Sequence, residues 1–152
     1  MPALHKKTSS RGFTLIELLI VITIIAILAS LVLAAAGSVQ KKGARSRAEA
    51  EIAALGAALE SYKADNGDYP SNSSGSANLV AALMNTTTTG AKIYFEFKTK
   101  FLDANTNFLD PFGNPYQYIY TNGSPNNGSN NYDLWSTAGG TSTSTNTWIK
   151  NW

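Results

Sequence analysis

From Phe13 to Ala36 the chain carries 24 residues with a single charged side chain, Glu17. No other stretch restricts the possible folds as strongly. As a helix it extends roughly 36 Å at about 1.5 Å per residue. A hydrocarbon core of about 30 Å takes about 20 residues, so the run can span a bilayer with some tilt. Glu17 is the anomaly, because a carboxylate in an apolar span is costly. Either it sits at headgroup depth and reaches water, or it waits for a cation from another molecule. Spacing alone leaves both readings open.

Lys6-Lys7 followed by Arg11-Gly12-Phe13-Thr14-Leu15-Ile16-Glu17-Leu18-Leu19 resembles the type III signal of type IV pilins and type II secretion pseudopilins. The resemblance implies that a prepilin peptidase cuts between Gly12 and Phe13 and N-methylates Phe13. It also implies that Glu17 pairs with the α-amino group of a neighbouring subunit's Phe13 during filament assembly. The pairing makes physical sense, since an ammonium and a carboxylate in hydrocarbon cost less together than apart. The partners implied are further copies of the chain in a helical filament, the peptidase, other pseudopilins, an inner-membrane assembly platform and, before assembly, membrane lipid. A secretory signal peptide cut after Ala34-Ala35-Ala36 competes with this reading. Against it, the run exceeds an h-region of about 7–15 residues, and Glu17 interrupts it.

Lys6, Lys7 and Arg11 precede the span, but Lys41, Lys42, Arg45 and Arg47 follow it. The positive-inside count therefore does not choose an orientation. The resemblance implies an inner-membrane protein with a cytoplasmic N-terminus and a periplasmic head. It also bears on charge. Removing Lys6, Lys7 and Arg11 from twelve basic side chains leaves nine against ten acids, a net charge of −1. Nucleic-acid binding loses its basic footprint.

The expected domain order is a leader at 1–12, a span at 13–36, an amphipathic helical continuation at 37–67 and a head at 68–152. Ala48 to Lys63 is rich in helix formers, and Ile52, Leu55, Leu59 and Tyr62 form one apolar stripe suited to packing the head. Asn66-Gly67 supplies the stop. Ala34 stands where the family commonly has a helix-kinking proline, leaving Gly37 and Gly43 as local weak points. The segment Leu59-x-x-Tyr62-Lys63-x-Asp65-Asn66-Gly67-x-Tyr69-Pro70 resembles the helix exit of the major pseudopilin of type II secretion. Beyond it the pattern predicts a short helix over 78–84 and strands over 93–101, 116–120 and 132–136. Asp110-Pro111-Phe112-Gly113-Asn114-Pro115-Tyr116 reads as a turn. It resembles a head motif of pseudopilins, with Phe112 in place of Trp. The expected fold class is α+β and pilin-like: a long N-terminal α-helix, spanning a membrane in its first half, packed against a small antiparallel β-sheet head.

The chain has no cysteine, and its one histidine, His5, lies in the leader. Thiol and imidazole chemistry are thus closed to the mature protein. Five acids remain in the head, Asp68, Glu96, Asp103, Asp110 and Asp133, and turn and strand-edge roles account for them better than a catalytic pair. No enzyme and no cofactor is expected. Pseudopilin heads often bind Ca²⁺ after a Tyr-Asp-Leu strand, here Tyr132-Asp133-Leu134. Ser136 to Lys150 contains no Asp or Glu, so no tight calcium site is expected, because carboxylates set calcium affinity.

Two functions follow. The first is a structural subunit of a type II secretion pseudopilus that drives protein export across the outer membrane. The second is a minor type IV pilin of a surface or DNA-uptake fibre, with Tyr94, Tyr116, Tyr118, Tyr120 and Tyr132 touching a ligand.

Overall fold

The structure is a computed structural model that describes residues 12–71, 76–85, 90–120, 126–128, 130–141, 143 and 145–152. Most of the expected leader, and the loops expected around 72–75, 86–89 and 121–125, lie outside the described residues. Two compact units divide the chain, Met1–Gln40 and Lys41–Trp152.

Helix α1 is Leu15–Asn66, 52 residues. Its first half is dense in Ile and Val, which favour strands in water. In hydrocarbon the choice reverses, because every N–H and C=O must be paired within the segment. Among the described residues, this is the one helix long and apolar enough to cross a membrane. Large apolar side chains from Phe13 to Val39 are exposed on all sides. The helix runs through Gly37 and Gly43 without a break. It ends where expected: Gly67 adopts φ +85°, and its N–H donates to the Lys63 carbonyl at 2.8 Å. Asn66 Nδ2 donates to the Tyr62 carbonyl at 2.9 Å, satisfying a second terminal acceptor.

In the Lys41–Trp152 unit the predicted stripe is buried at Ile52, Leu55 and Leu59 and half-buried at Tyr62. Ala48, Ile52, Leu55 and Leu59 form a core with Leu79, Val80 and Leu83 of α2 (Ala77–Met84). The same cluster takes in Phe97, Phe108, Tyr116, Tyr118, Tyr132, Leu134 and Ile149. Truncating Leu55 or Leu59, both fully buried, to Ala costs about 2–5 kcal/mol each. Strands β1 (Gln117–Ile119), β2 (Asp133–Ser136) and β3 (Ile149–Lys150) form an antiparallel sheet in the order β1-β2-β3. Tyr118 faces Leu134 across β1–β2, and Trp135 faces Lys150 across β2–β3.

One strand expectation is corrected. Residues 93–98 form no strand and bend at Tyr94, and Thr99–Phe101 is a 3-10 turn. The N–H groups of Tyr94 and Phe95 both reach the Leu83 carbonyl at the end of α2, at 2.8 and 3.3 Å. No ladder forms, and Ile93, expected on the buried face, is 63% exposed. The third strand is instead β3, near the C-terminus. Asn151 prolongs its pairing: its N–H donates to the Leu134 carbonyl, and its side-chain oxygen accepts from the Leu134 N–H at 2.9 Å.

The tyrosines are spent on packing. Tyr116, Tyr118 and Tyr132 are buried, and Tyr69 meets Tyr132 edge to face at 4.9 Å. Buried phenols need acceptors. Tyr116 donates to Glu51 at 2.8 Å, Tyr118 to the Pro70 carbonyl at 2.8 Å and Tyr69 to Glu60 at 2.7 Å. Burial first, then these glutamates, pushes the Tyr116 and Tyr69 phenols above the ordinary tyrosine range. Burial is also the main cause for Tyr118 and Tyr132. A raised folded-state pKa gives stability that is complete below the unfolded value of about 10 and is lost as pH climbs through the raised one. In an alkaline titration of the full chain in detergent, the part of the phenolate absorbance that Tyr116→Phe or Tyr118→Phe removes should therefore appear together with loss of head circular dichroism. That part appearing near pH ~10 with the fold intact would contradict this packing.

Candidate functional site

Two places gather the residues singled out in the sequence, and each belongs to its own unit. The first is the start of α1. Gly12 and Phe13 precede the helix, and Phe13 is 85% exposed. Thr14 immediately precedes the first helical residue. Its N–H and its hydroxyl both donate to Glu17 Oε2, at 2.8 and 2.7 Å. The Glu17 N–H returns a bond to Thr14 Oγ1 at 3.3 Å. This is a capping box, in which two otherwise unpaired N–H groups are satisfied reciprocally. Thr14 was missed as a functional residue. Its signal was present, a Thr three residues ahead of a Glu just before an apolar run.

Glu17 thus has a task within its own chain. In water a capping box is a modest device. In hydrocarbon the unpaired Thr14 N–H and a lone carboxylate would each be costly, so the same three bonds matter more. Oε2 takes both Thr14 donors, and among the described residues Oε1 accepts no bond.

The second place is the turn at Asp110, where the structure brings together every residue named in the motif. Asp110 is buried. Its Oδ1 accepts from the N–H groups of Phe112 and Asn114, both at 2.9 Å. Its main chain closes the turn through Asp110 N–H to the Asn114 carbonyl and Gly113 N–H to the Asp110 carbonyl. Gly113 sits at φ +86°, a region that costs other L-residues strain. Pro115 bridges back to Leu109, and the Tyr116 N–H donates to the Phe108 carbonyl at 2.8 Å. Asp110 Oδ2 accepts from the hydroxyl of Ser136, at the end of β2. Ser136 Oγ in turn accepts from the Ala138 N–H at 2.9 Å. Nothing in the local sequence marked Ser136 as the partner. The motif is a clamp tying a turn to the sheet, not a reaction centre.

Asp103, Asp68 and Asp133 are also engaged in structure. Asp103 closes its own turn by accepting from the Asn107 side chain and from the N–H groups of Asn107 and Asn105. The Asn107 side chain foremost, with those N–H groups, holds its carboxyl below the usual range. Asp68 accepts from Tyr120 and from the Tyr69 N–H, and these bonds lower its pKa, Tyr120 most. Asp133, buried in β2, accepts from Asn126 Nδ2 at 2.7 Å. No three of His, Asp and Glu converge as metal ligands among the described residues.

Comparison with known proteins adds the following. Residues 36–152 match the family model for type II secretion system (T2SS), protein G. Residues 7–33 match the prokaryotic N-terminal methylation motif. The chain is 36% identical over 114 residues to the type II secretion system core protein G of Pseudomonas aeruginosa, covering 75% of this chain and 76% of the relative. The protein of that name from Aeromonas hydrophila is 35% identical over 114 residues, covering 75% and 76%. The Escherichia coli one is 44% identical over 72 residues, covering 47% of this chain and 50% of its own.

Asp110→Ala leaves the Phe112 and Asn114 N–H groups and the Ser136 hydroxyl without their acceptor, and should lower head stability by about 2–4 kcal/mol in denaturant unfolding. Asp110→Asn keeps one carbonyl oxygen and should be milder. Equal, negligible effects of both would show that the clamp is dispensable.

Proposed function

The chain belongs to the type II secretion system protein G family, and from that membership we propose that it is a structural subunit of the secretion pseudopilus. The observation that carries the assembly mechanism is an α1 whose first half is apolar all round and broken by one carboxylate. Such a surface has two stable environments, lipid and a bundle of its own kind. The proposed path moves it from the first to the second.

In this reading residues 1–12 are a leader, 13–36 the span and filament core, 37–67 the helical continuation and 68–152 the head. A prepilin peptidase cuts between Gly12 and Phe13 and methylates the new amine. The match to the N-terminal methylation motif supports that step. The chain then rests in the inner membrane with its N-terminus cytoplasmic and its head periplasmic. On assembly, Glu17 accepts from the Phe13 ammonium of a neighbouring copy through Oε1, while Oε2 stays with Thr14. Neutralising both charges removes much of the penalty for keeping them in an apolar core. Each copy offers one amine and one carboxylate at different positions, so the contact is head to tail and grows a helical fibre. Other pseudopilins and an inner-membrane assembly platform are the expected partners, the platform supplying the work of export.

The minor-pilin alternative needs a head with free tyrosines. Of the five named, Tyr116, Tyr118 and Tyr120 commit their hydroxyls to Glu51, Pro70 and Asp68, and the family match extends across the head. Both favour the pseudopilus subunit. The family is structural, and the engaged head acids agree with that.

Mass spectrometry of the mature protein should find an N-terminal peptide beginning at N-methyl-Phe13, whereas a chain beginning at Gly37 would refute the processing. Glu17→Leu should leave the amount of membrane-bound subunit near normal and abolish filaments in electron micrographs. Filaments of ordinary number and length would sink the pairing.

A further inference from the structure

Lys41, Arg45, Phe112, Ala138, Gly139 and Thr147 line an open cavity of about 460 Å³. All six belong to the unit that begins at Lys41. Lys41 and Arg45 are one helical turn apart on α1, so they share a face. Arg45 is held in place: Nη1 donates to the Thr147 carbonyl at 3.0 Å, and Nε lies 3.2 Å from Glu49 Oε1. That pair is about half exposed on each side and only partly spends the guanidinium's charge and donors. Lys41 makes no ion pair among the described residues. Phe112 forms an apolar wall, seated on Gly139; at φ +76° a Cβ there would come 3.4 Å from the ring. The cavity therefore offers two cations beside an apolar surface.

The neighbouring cations behave differently. Arg47 is bound to Glu51 at 2.8 Å and lies over the Phe101 ring. Lys42 is exposed and does not line the cavity. Lys41 lies five positions after Ala36, the last of the apolar run. Basic residues this close in sequence to the end of a span are drawn to anionic headgroups.

We propose that this cavity binds the phosphate of an anionic phospholipid, with Lys41 and Arg45 on the phosphate and Phe112 against the glycerol and first methylenes. The proposal rests on the reading of 13–36 as a membrane span. A free phosphate would satisfy the two cations, but it would make no use of the apolar wall and would not need a site so close in sequence to the span. A lipid uses both. Bound there, it would hold the membrane-proximal side of the head at the bilayer surface until the subunit leaves for the filament.

The test uses the full chain in nanodiscs of phosphatidylcholine containing phosphatidylglycerol with a photoactivatable headgroup, followed by peptide mapping. Labelling is expected on the peptides carrying Lys41–Arg45 and Phe112. Lys41→Gln should reduce it about fivefold, the effect of one cation near an anionic surface, and Lys42→Gln should leave it nearly unchanged. Both positions are exposed, so neither variant should disturb the fold, which circular dichroism checks. Equal losses from the two variants would mean diffuse attraction to the surface and would overturn the site. Loss of labelling on adding millimolar inorganic phosphate at constant ionic strength would assign the cavity to a free anion and overturn the lipid. Failure of the chain to insert into the discs would overturn the span and this site with it. Insertion with unselective labelling would overturn the site alone.

Discussion

A backbone carried into oil must satisfy its own hydrogen bonds, and the rest of this molecule depends on that demand being met by α1. The first half mixes Leu and Ala, which favour helix, with Ile and Val, which favour strands in water. In hydrocarbon they have no sheet partner, and the helix is the form that leaves no peptide group unpaired. The same helix then runs on into a sequence with only one apolar stripe. Ile52, Leu55 and Leu59 lie on one face, where they build the head's core. One element thereby serves two solvents, with Gly67 ending it once its stripe is used.

The head built on that stripe is poor in regular structure. Its strands are three, four and two residues long, so ladder bonds can hold rather little of it. Side chains supply much of the remainder. Asp110 gathers two N–H groups and the Ser136 hydroxyl, Asp103 closes a second turn, and Asn151 acts as one more rung beside β2. Phenols reach from the sheet and the helix exit to Glu51, Glu60 and Pro70. Each such bond adds modestly to stability, but leaving any of the buried groups unpaired would be expensive. With no disulfide available, the small head relies on polar pairing together with its aromatic cluster.

Glu17 illustrates how one carboxylate can belong to a fold and to an assembly. Within its own chain it caps the start of α1 by accepting from Thr14. In the proposed filament its second oxygen meets a neighbour's amine. The first role makes the second easier, because the cap fixes the side chain before any partner arrives and less conformational freedom is lost on pairing.

Local rules made much of this legible. The membrane-length helix, its stripe, its Asn66-Gly67 stop, the short α2 and the turn at Asp110 all follow from periodicity or backbone demands within a few residues. The capping box at Thr14 and Glu17 is equally local. The processing signal and the family likeness were legible for the same reason, being short contiguous motifs. Pairing was not legible. The alternation at 93–98 looks like a strand, yet its N–H groups turn to the Leu83 carbonyl, while Ile149–Lys150, with little pattern of its own, completes the sheet. Ser136 beneath Asp110, and Phe112 beside Lys41 and Arg45, likewise became neighbours through the fold. The amino-acid order by itself determined which segments would be helix or turn, and which helix is long and apolar enough to cross a membrane. Tertiary structure alone decided which segments found partners, because a hydrogen bond or a cavity needs two distant pieces of chain in one place.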